Sequence, residues 1–231
     1  MLNRNDFILY MPMKGNITDY GVNAYSTSNT GAVLTIDEAG LTNSAYELAD
    51  ASDRIEVTAA AGNTVATALN SESCVYFEAD LRALSGSDFF RTIHQWGTSG
   101  QNSFTLTGAN GGAFTQQFSM AASTDGTSAS NTALSNTNSL DSNWNDWYIN
   151  YLDNTTTVDV DFYKNGTSVS SGVDMQYAKT NSTQAMRIGA QNNTNDLGAV
   201  GVIKNVIVLN RNITSLERKF IKKFSNRKRV A

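Results

Sequence analysis

Residues 147–166 read Trp147-Tyr148-Ile149-Asn150-Tyr151-Leu152-Asp153-Asn154-Thr155-Thr156-Thr157-Val158-Asp159-Val160-Asp161-Phe162-Tyr163-Lys164-Asn165-Gly166. Trp147 to Tyr151 reads as a strand, and Asp153-Asn154 turns it. Val158-Asp159-Val160-Asp161-Phe162 then alternates strictly, so Val158, Val160 and Phe162 share one face. Asn165-Gly166 is the strongest short hairpin signal in the chain. Downstream, Arg187-Ile188-Gly189 and Val200 to Leu209 add strands, the latter almost continuously apolar, as in a central strand buried on both faces. Upstream, strands are expected at Phe7–Met11, Ala45–Leu48, Arg54–Val57, Ser73–Leu81, Phe89–Trp96, Phe104–Thr107 and Phe114–Met120. Ser123 to Asn145 has little apolar content and is expected to be a loop, with room for a turn of helix. Ser215 is the expected cap of a short helix with Leu216, Phe220, Ile221 and Phe224 at amphipathic spacing.

The composition agrees with an all-β chain. Of 231 residues, 26 are Asn, 25 Thr and 23 Ser, while charged residues make up only 16%. Those side chains favour turns and caps over helix interiors. An apolar fraction of 40% argues against disorder. One Cys excludes a disulfide within the chain and a Cys-based zinc site, and one His argues against a Ser-His-Asp triad or a His-rich metal cluster. No apolar run approaches membrane-helix length, so membrane insertion is not expected. The N-terminus, with Asp6 and Pro12 bounding a short apolar run, fits a secretory signal poorly. Net charge is −4, but residues 204–231 carry nine Lys/Arg and one acid, which leaves −12 on the rest.

The second half resembles laminin-G-like domains. Trp147–Tyr151 with Phe162-Tyr163-Lys164-Asn165-Gly166 is similar to their tryptophan-led hairpin, Arg187-Ile188-Gly189 to their "r-I-G" strand, and Gly201 to Glu217 to their closing signature. Tyr10-Met11-Pro12-Met13 with Asp19, and Asp53 to Val57, match more loosely. The resemblance implies an all-β, two-sheet antiparallel concanavalin A-like jelly-roll sandwich with a short C-terminal helix. The domain is then 1–214, followed by the helix and basic tail at 215–231.

Catalysis by sugar hydrolases of this fold needs paired carboxylates. The nearest pattern is Asp159-x-Asp161, opposite the core face and without an accompanying Glu, so the chain is expected to be non-enzymatic. His94 is placed by alternation with Phe90, Thr92 and Trp96, as a structural residue or a sugar contact. Sugar binding needs an aromatic face and polar groups for hydroxyls. The carbohydrate-binding candidates are Trp96, Trp144, Tyr177, Asp125 and Asn192, with Trp147 as the family's buried tryptophan. No cofactor is expected; a structural calcium ion is left open, with Asp50 and Asp53 as candidate ligands and Asn205 standing where the family usually has Asp. Cys74 is expected to be buried and inert.

An exterior-type surface without an export signal leads to an expected place on a virion surface, as capsid decoration or a tail-associated component of a phage. The partners would be other virion proteins, reached through the basic tail, and host or mucus glycans, with oligomeric or multivalent display. Nucleic acid is not an expected partner, because the tail lacks interleaved aromatics. A cellular or secreted carbohydrate-binding module is the alternative, and a glycan hydrolase or lyase the second.

Overall fold

The computed structural model describes residues 2–50, 52–58, 64–65, 72–83, 89–95, 103–109, 116–123, 125, 127, 131–136, 140–141, 143–153, 158–170, 182–190 and 198–225. In chain order its strands are β1 (Phe7–Met11), β2 (Ser26–Thr30), β3 (Val33–Thr35), β4 (Ala45–Leu48), β5 (Arg54–Thr58), β6 (Glu72–Ala83), β7 (Phe89–His94), β8 (Phe104–Ala109), β9 (Gln117–Ala122), β10 (Asn131–Leu134), β11 (Asn145–Asp153), β12 (Val158–Lys164), β13 (Thr167–Ser168), β14 (Met186–Gly189) and β15 (Ala199–Leu209). Helix α1 spans Ser215–Ser225.

Eight strands form sheet A, in the order β13-β12-β11-β6-β15-β4-β3, with β1 also paired to β15. Seven form sheet B, in the order β10-β9-β8-β7-β14-β5-β2. All strand pairings are antiparallel. Two stacked antiparallel sheets with one short helix make the concanavalin A-like jelly roll.

Alternation decides which side chains enter the core. Phe77 and Trp147 from sheet A meet Phe90 and Phe118 from sheet B. Phe118 lies edge-on to Trp147 at 4.7 Å, to Phe77 at 5.9 Å and to Phe90 at 6.2 Å between ring centroids. Edge-to-face packing of this kind adds to the burial of apolar area. Gly108 makes room for it, since a Cβ there would sit 2.1 Å from the Phe90 ring.

The 147–166 hairpin forms as expected. Trp147 pairs with Lys164 and Asp153 with Val158. Asn165 (φ 50°) and Gly166 (φ 84°) take the left-handed conformations that a two-residue turn of this twist demands.

Three expectations need correction. The stretch 123–145 contains a strand, β10, paired to β9. The strand expected over Phe89–Trp96 ends at His94 and carries a register shift between Arg91 and Ile93. That shift puts Phe90 and Ile93 in the core and His94 on the opposite face, cross-strand from Thr105, so Phe90 and His94 do not share a side. Finally, Thr214, not Ser215, caps α1. The Glu217 N–H donates to Thr214 Oγ1 (3.3 Å) and the Thr214 N–H donates to Glu217 Oε2 (3.1 Å), a reciprocal capping box.

Candidate functional site

Away from the core, the two sheets present different surfaces. On sheet A, the outward residues of β6, β11 and β15 form a small second apolar cluster: Cys74, Tyr76, Tyr148, Ile207 and Leu209, closed over by Ile213 and Ile221. Tyr163 stacks flat on Tyr148 at 4.3 Å. Helix α1 thus covers one half of this face.

Beside that cluster runs a row of charge. Lys204 pairs across to Glu78, and Glu78 to Asp146. Lys204 is fully buried, its ammonium 3.3 Å from Asp37, 2.5 Å from Glu38 and 3.4 Å from Glu78. Burial pulls its pKa down, but the three carboxylates outweigh burial and hold it above the ordinary lysine range. Glu78 also accepts from the Tyr76 hydroxyl (2.7 Å) and from Asn205 Nδ2 (3.0 Å). Asn205 reaches it from a bulge in β15 with φ 53°, a left-handed conformation that Asn tolerates well. Asp146 receives both arms of Arg218 and the Lys222 ammonium (2.6 Å) from α1. Glu78 and Asp146 are the closest approach to a carboxylate pair on this face. Each is 2% exposed or less, and each is neutralised by its own cations beneath or beside the helix. Neither carboxylate is open to solvent.

Sheet B's outward face has no helix over it among the described residues. Thr105 and Thr107 place their hydroxyls 3.1 Å apart, Ser119 donates to the Thr107 carbonyl (3.4 Å), and Thr132 on β10 lies across Ala121 from Thr105. Toward β5, Arg187 donates to Glu56 at 2.7 Å and Arg54 approaches Glu56 at 3.5 Å, with Arg91 on β7. Thr107, Ser119, Thr132, Glu56, Arg54, Arg91 and Arg187 are half-buried. They are ordered and still reachable.

One end of sheet B holds polar atoms that lack partners. Thr92 Oγ1, His94 Nδ1, Gln95 Oε1 and Ser103 Oγ are buried without a hydrogen-bond partner among the described residues. Backbone bonds tie these positions together: Gln95 donates to Phe104, Ser103 to Gln95, and Ser123 to Ser103. His94 Nε2 faces the Gly189 carbonyl at 3.2 Å. Burial, with the charge of Arg91, pushes His94 down to about 3, so the ring is neutral. With Nε2 donating to the carbonyl, Nδ1 is an acceptor. This end therefore offers acceptors and hydroxyls, which suit a hydroxyl-bearing partner or water.

Among the sequence candidates, Trp96, Tyr177 and Asn192 lie outside the described residues. Trp144 and Asp125 are not brought together. Trp144 precedes β11 and is half-buried, its ring over the Lys204 ammonium at 5.6 Å. Asp125 follows β9 in sheet B and closes an exposed turn, accepting from the Thr127 N–H (2.8 Å) and the Ser123 hydroxyl (3.2 Å). Trp147 is buried in the core. Asp161 faces solvent, as alternation predicts.

The residues considered for calcium do not fit the ion. Asp53 Oδ2 accepts from the Ala49 and Asp50 N–H groups, and Asp50 Oδ1 from Ser52. These oxygens hold a turn together. No group of three or more His, Cys, Asp or Glu suited to a metal occurs among the described residues.

Sequence reasoning missed Lys204, Glu78 and Asp146 on sheet A, and the Thr/Ser/Arg band on sheet B. The one visible signal was Lys204, a charge inside an otherwise apolar strand.

No family model matches the chain, and no curated protein does. Solved structures do. The receptor-binding domain of the botulinum neurotoxin C/D mosaic serotype superposes with a TM-score of 0.69 at 13% identity, over 96% of this chain and 52% of that one. The binding domain of botulinum neurotoxin serotype D gives 0.67 at 11%, over 96% and 52%. The binding domain of botulinum neurotoxin DC in complex with SialylT gives 0.64 at 10%, over 97% and 52%. This chain spans about half the length of those domains. The likeness is one of fold: a lectin-like jelly roll.

Proposed function

We propose that this chain is a non-catalytic glycan-binding module that takes its ligand on the outward face of sheet B. The observation that carries the reading is the half-buried band of hydroxyls beside three arginines and one glutamate, on a protein that is otherwise acidic. Hydroxyls and Glu56 suit sugar hydroxyl groups, and an excess of guanidinium suits a carboxylate. A glycan bearing an acidic sugar is therefore the preferred class. The jelly-roll likeness to receptor-binding domains, one of them in complex with SialylT, supports the same class. The fixed ion pairs of Glu78 and Asp146, and the outward Asp159 and Asp161, support a non-catalytic role. The laminin-G-like kinship and a place on a phage virion surface belong to this proposal too. The virion setting rests on composition alone.

A glycan array followed by titration calorimetry tests the proposal. Sialylated glycans should give signal above neutral ones, and Arg187→Ala should weaken binding about tenfold, or ~1.4 kcal/mol. Arg82→Ala, on sheet A, should not. No binding to any glycan at millimolar concentration would sink the reading. Stoichiometric copies in purified particles would support the virion setting, and absence from them would end it.

A further inference from the structure

We infer that two copies of this chain pair through sheet A, each seating the outer face of α1 on a bare strip of the other's sheet. Two exposed patches carry the inference. On α1, Ile221 and Arg218 point down, while Leu216 (63% exposed) and Phe220 (61%) point away from the protein. Lys219 and Lys223 are exposed beside them. Positions 216 and 220, like 219 and 223, are one turn apart, so an apolar row and a basic row lie side by side.

The second patch crosses the other half of the same sheet face. Val33 pairs with Glu47, Glu47 with Val202, and Val202 with Asp80, so the strip alternates apolar and acidic across β3, β4, β15 and β6. Val33 is 58% exposed, and Ile36, just past β3, is 55%. Val202 and Asp80 are half-buried and Glu47 is exposed. Arg82 is the next outward residue on β6. The carboxylates of Glu47 and Asp80, and the ammonium groups of Lys219 and Lys223, have no ion-pair partner among the described residues. The two patterns are complementary in charge and in apolar content.

Their arrangement commits the partner to a second copy. The helix stands over one half of sheet A and the strip occupies the other half, which makes a step. A two-fold axis places the helix of each copy against the strip of its partner, so both contacts form at once and the assembly closes. This pairing uses sheet A and does not rest on the glycan reading, which uses sheet B.

Sedimentation velocity on the whole chain over a wide concentration range, at low salt and at 1 M salt, tests it. The wild type should move from monomer to dimer with rising concentration, and high salt should weaken the dimer. Phe220→Ser and Glu47→Lys should each weaken dimerisation at least tenfold while leaving the far-ultraviolet circular dichroism unchanged. The double variant Glu47→Lys/Lys219→Glu should regain it. A wild type that stays monomeric at every concentration would overturn the proposal, as would a Phe220→Ser protein that dimerises normally. Larger species growing with concentration would overturn the two-fold arrangement. Binding to anionic phospholipid vesicles that is lost in Phe220→Ser would reassign the helix face to a lipid surface.

Discussion

The outward faces of the two sheets meet the same problem in opposite ways. Both carry charged side chains on strands whose other side is core. Near α1, sheet A buries its charges: Lys204, Glu78 and Asp146 lie under or beside the helix, and every one is held by several partners. Sheet B leaves its charges half-exposed, with Glu56 shared between Arg54 and Arg187. A buried charge must be paired to be tolerated, so sheet A's network is committed to holding the fold. A half-exposed charge keeps water as an alternative partner and remains free to exchange it for a ligand. Similar residue types thus serve structure near α1 and, on the proposed reading, recognition on sheet B.

The largest predicted effect breaks or confirms that contrast directly. Asp146→Ala strands Arg218 in a buried position and should cost about 3–5 kcal/mol. Glu56→Ala removes a comparable number of ion pairs on sheet B and should cost roughly 0–1 kcal/mol. Urea unfolding of both variants measures the difference. Equal losses would mean that sheet B's ion pairs are as structural as those of sheet A.

Acid titration separates the faces by pH window. His94 on sheet B has a folded pKa of about 3, below its ordinary 6.5, because burial disfavours its charge. Between those values the unfolded chain binds a proton that the folded chain refuses. Stability therefore falls as pH drops from 6.5 toward 3, by about 1.4 kcal/mol per unit at most. Glu217 on sheet A's helix is lowered to about 2 by its hydrogen bond from Arg211. Its contribution is present above the ordinary value of 4.5 and is lost as pH falls from there toward 2. His94→Gln should flatten the first window and Glu217→Gln only the second, the latter more weakly. Unfolding midpoints from pH 7 to 2 would report both.

The core of this fold could be read from sequence because alternation is enforced where one face is buried. Val158, Val160 and Phe162 announced their strand in that way. The strands that escaped notice, β2, β3, β10 and β13, are all at sheet edges. Ser26 to Thr30 contains no large apolar residue. An edge strand is held mainly by backbone bonds to one neighbour, and backbone bonds leave no pattern in side chains. His94 was misplaced for a related reason. A one-residue shift in β7 reverses which side faces the core, and nothing in Phe89 to Trp96 marks the extra residue. The charged row on sheet A was hidden because Lys204 lies 126 residues from Glu78 in sequence and Asp146 lies 68 from it, and only the pairing of β15, β6 and β11 unites them. The sugar-binding candidates Trp144 and Asp125 stand out by residue type, and type alone does not say which face a side chain occupies.

The smallest predicted effect is also informative. Asp161 lies on the outward side of β12, one strand from the β11 that carries Asp146, and its one described hydrogen bond is from Ser170 at 3.3 Å. It is exposed, so water already solvates its carboxylate, and removing it leaves no buried partner unpaired. Asp161→Ala should change stability by no more than about 0.5 kcal/mol. Glycan binding should also be unchanged, because the residue belongs to sheet A. Hydrolysis tests sharpen the point: if reducing ends were released from any glycan by the wild type and not by Asp161→Ala, the outward edge of sheet A would be the reacting surface. The division of labour between a closed face and a recognising face would then have to be redrawn.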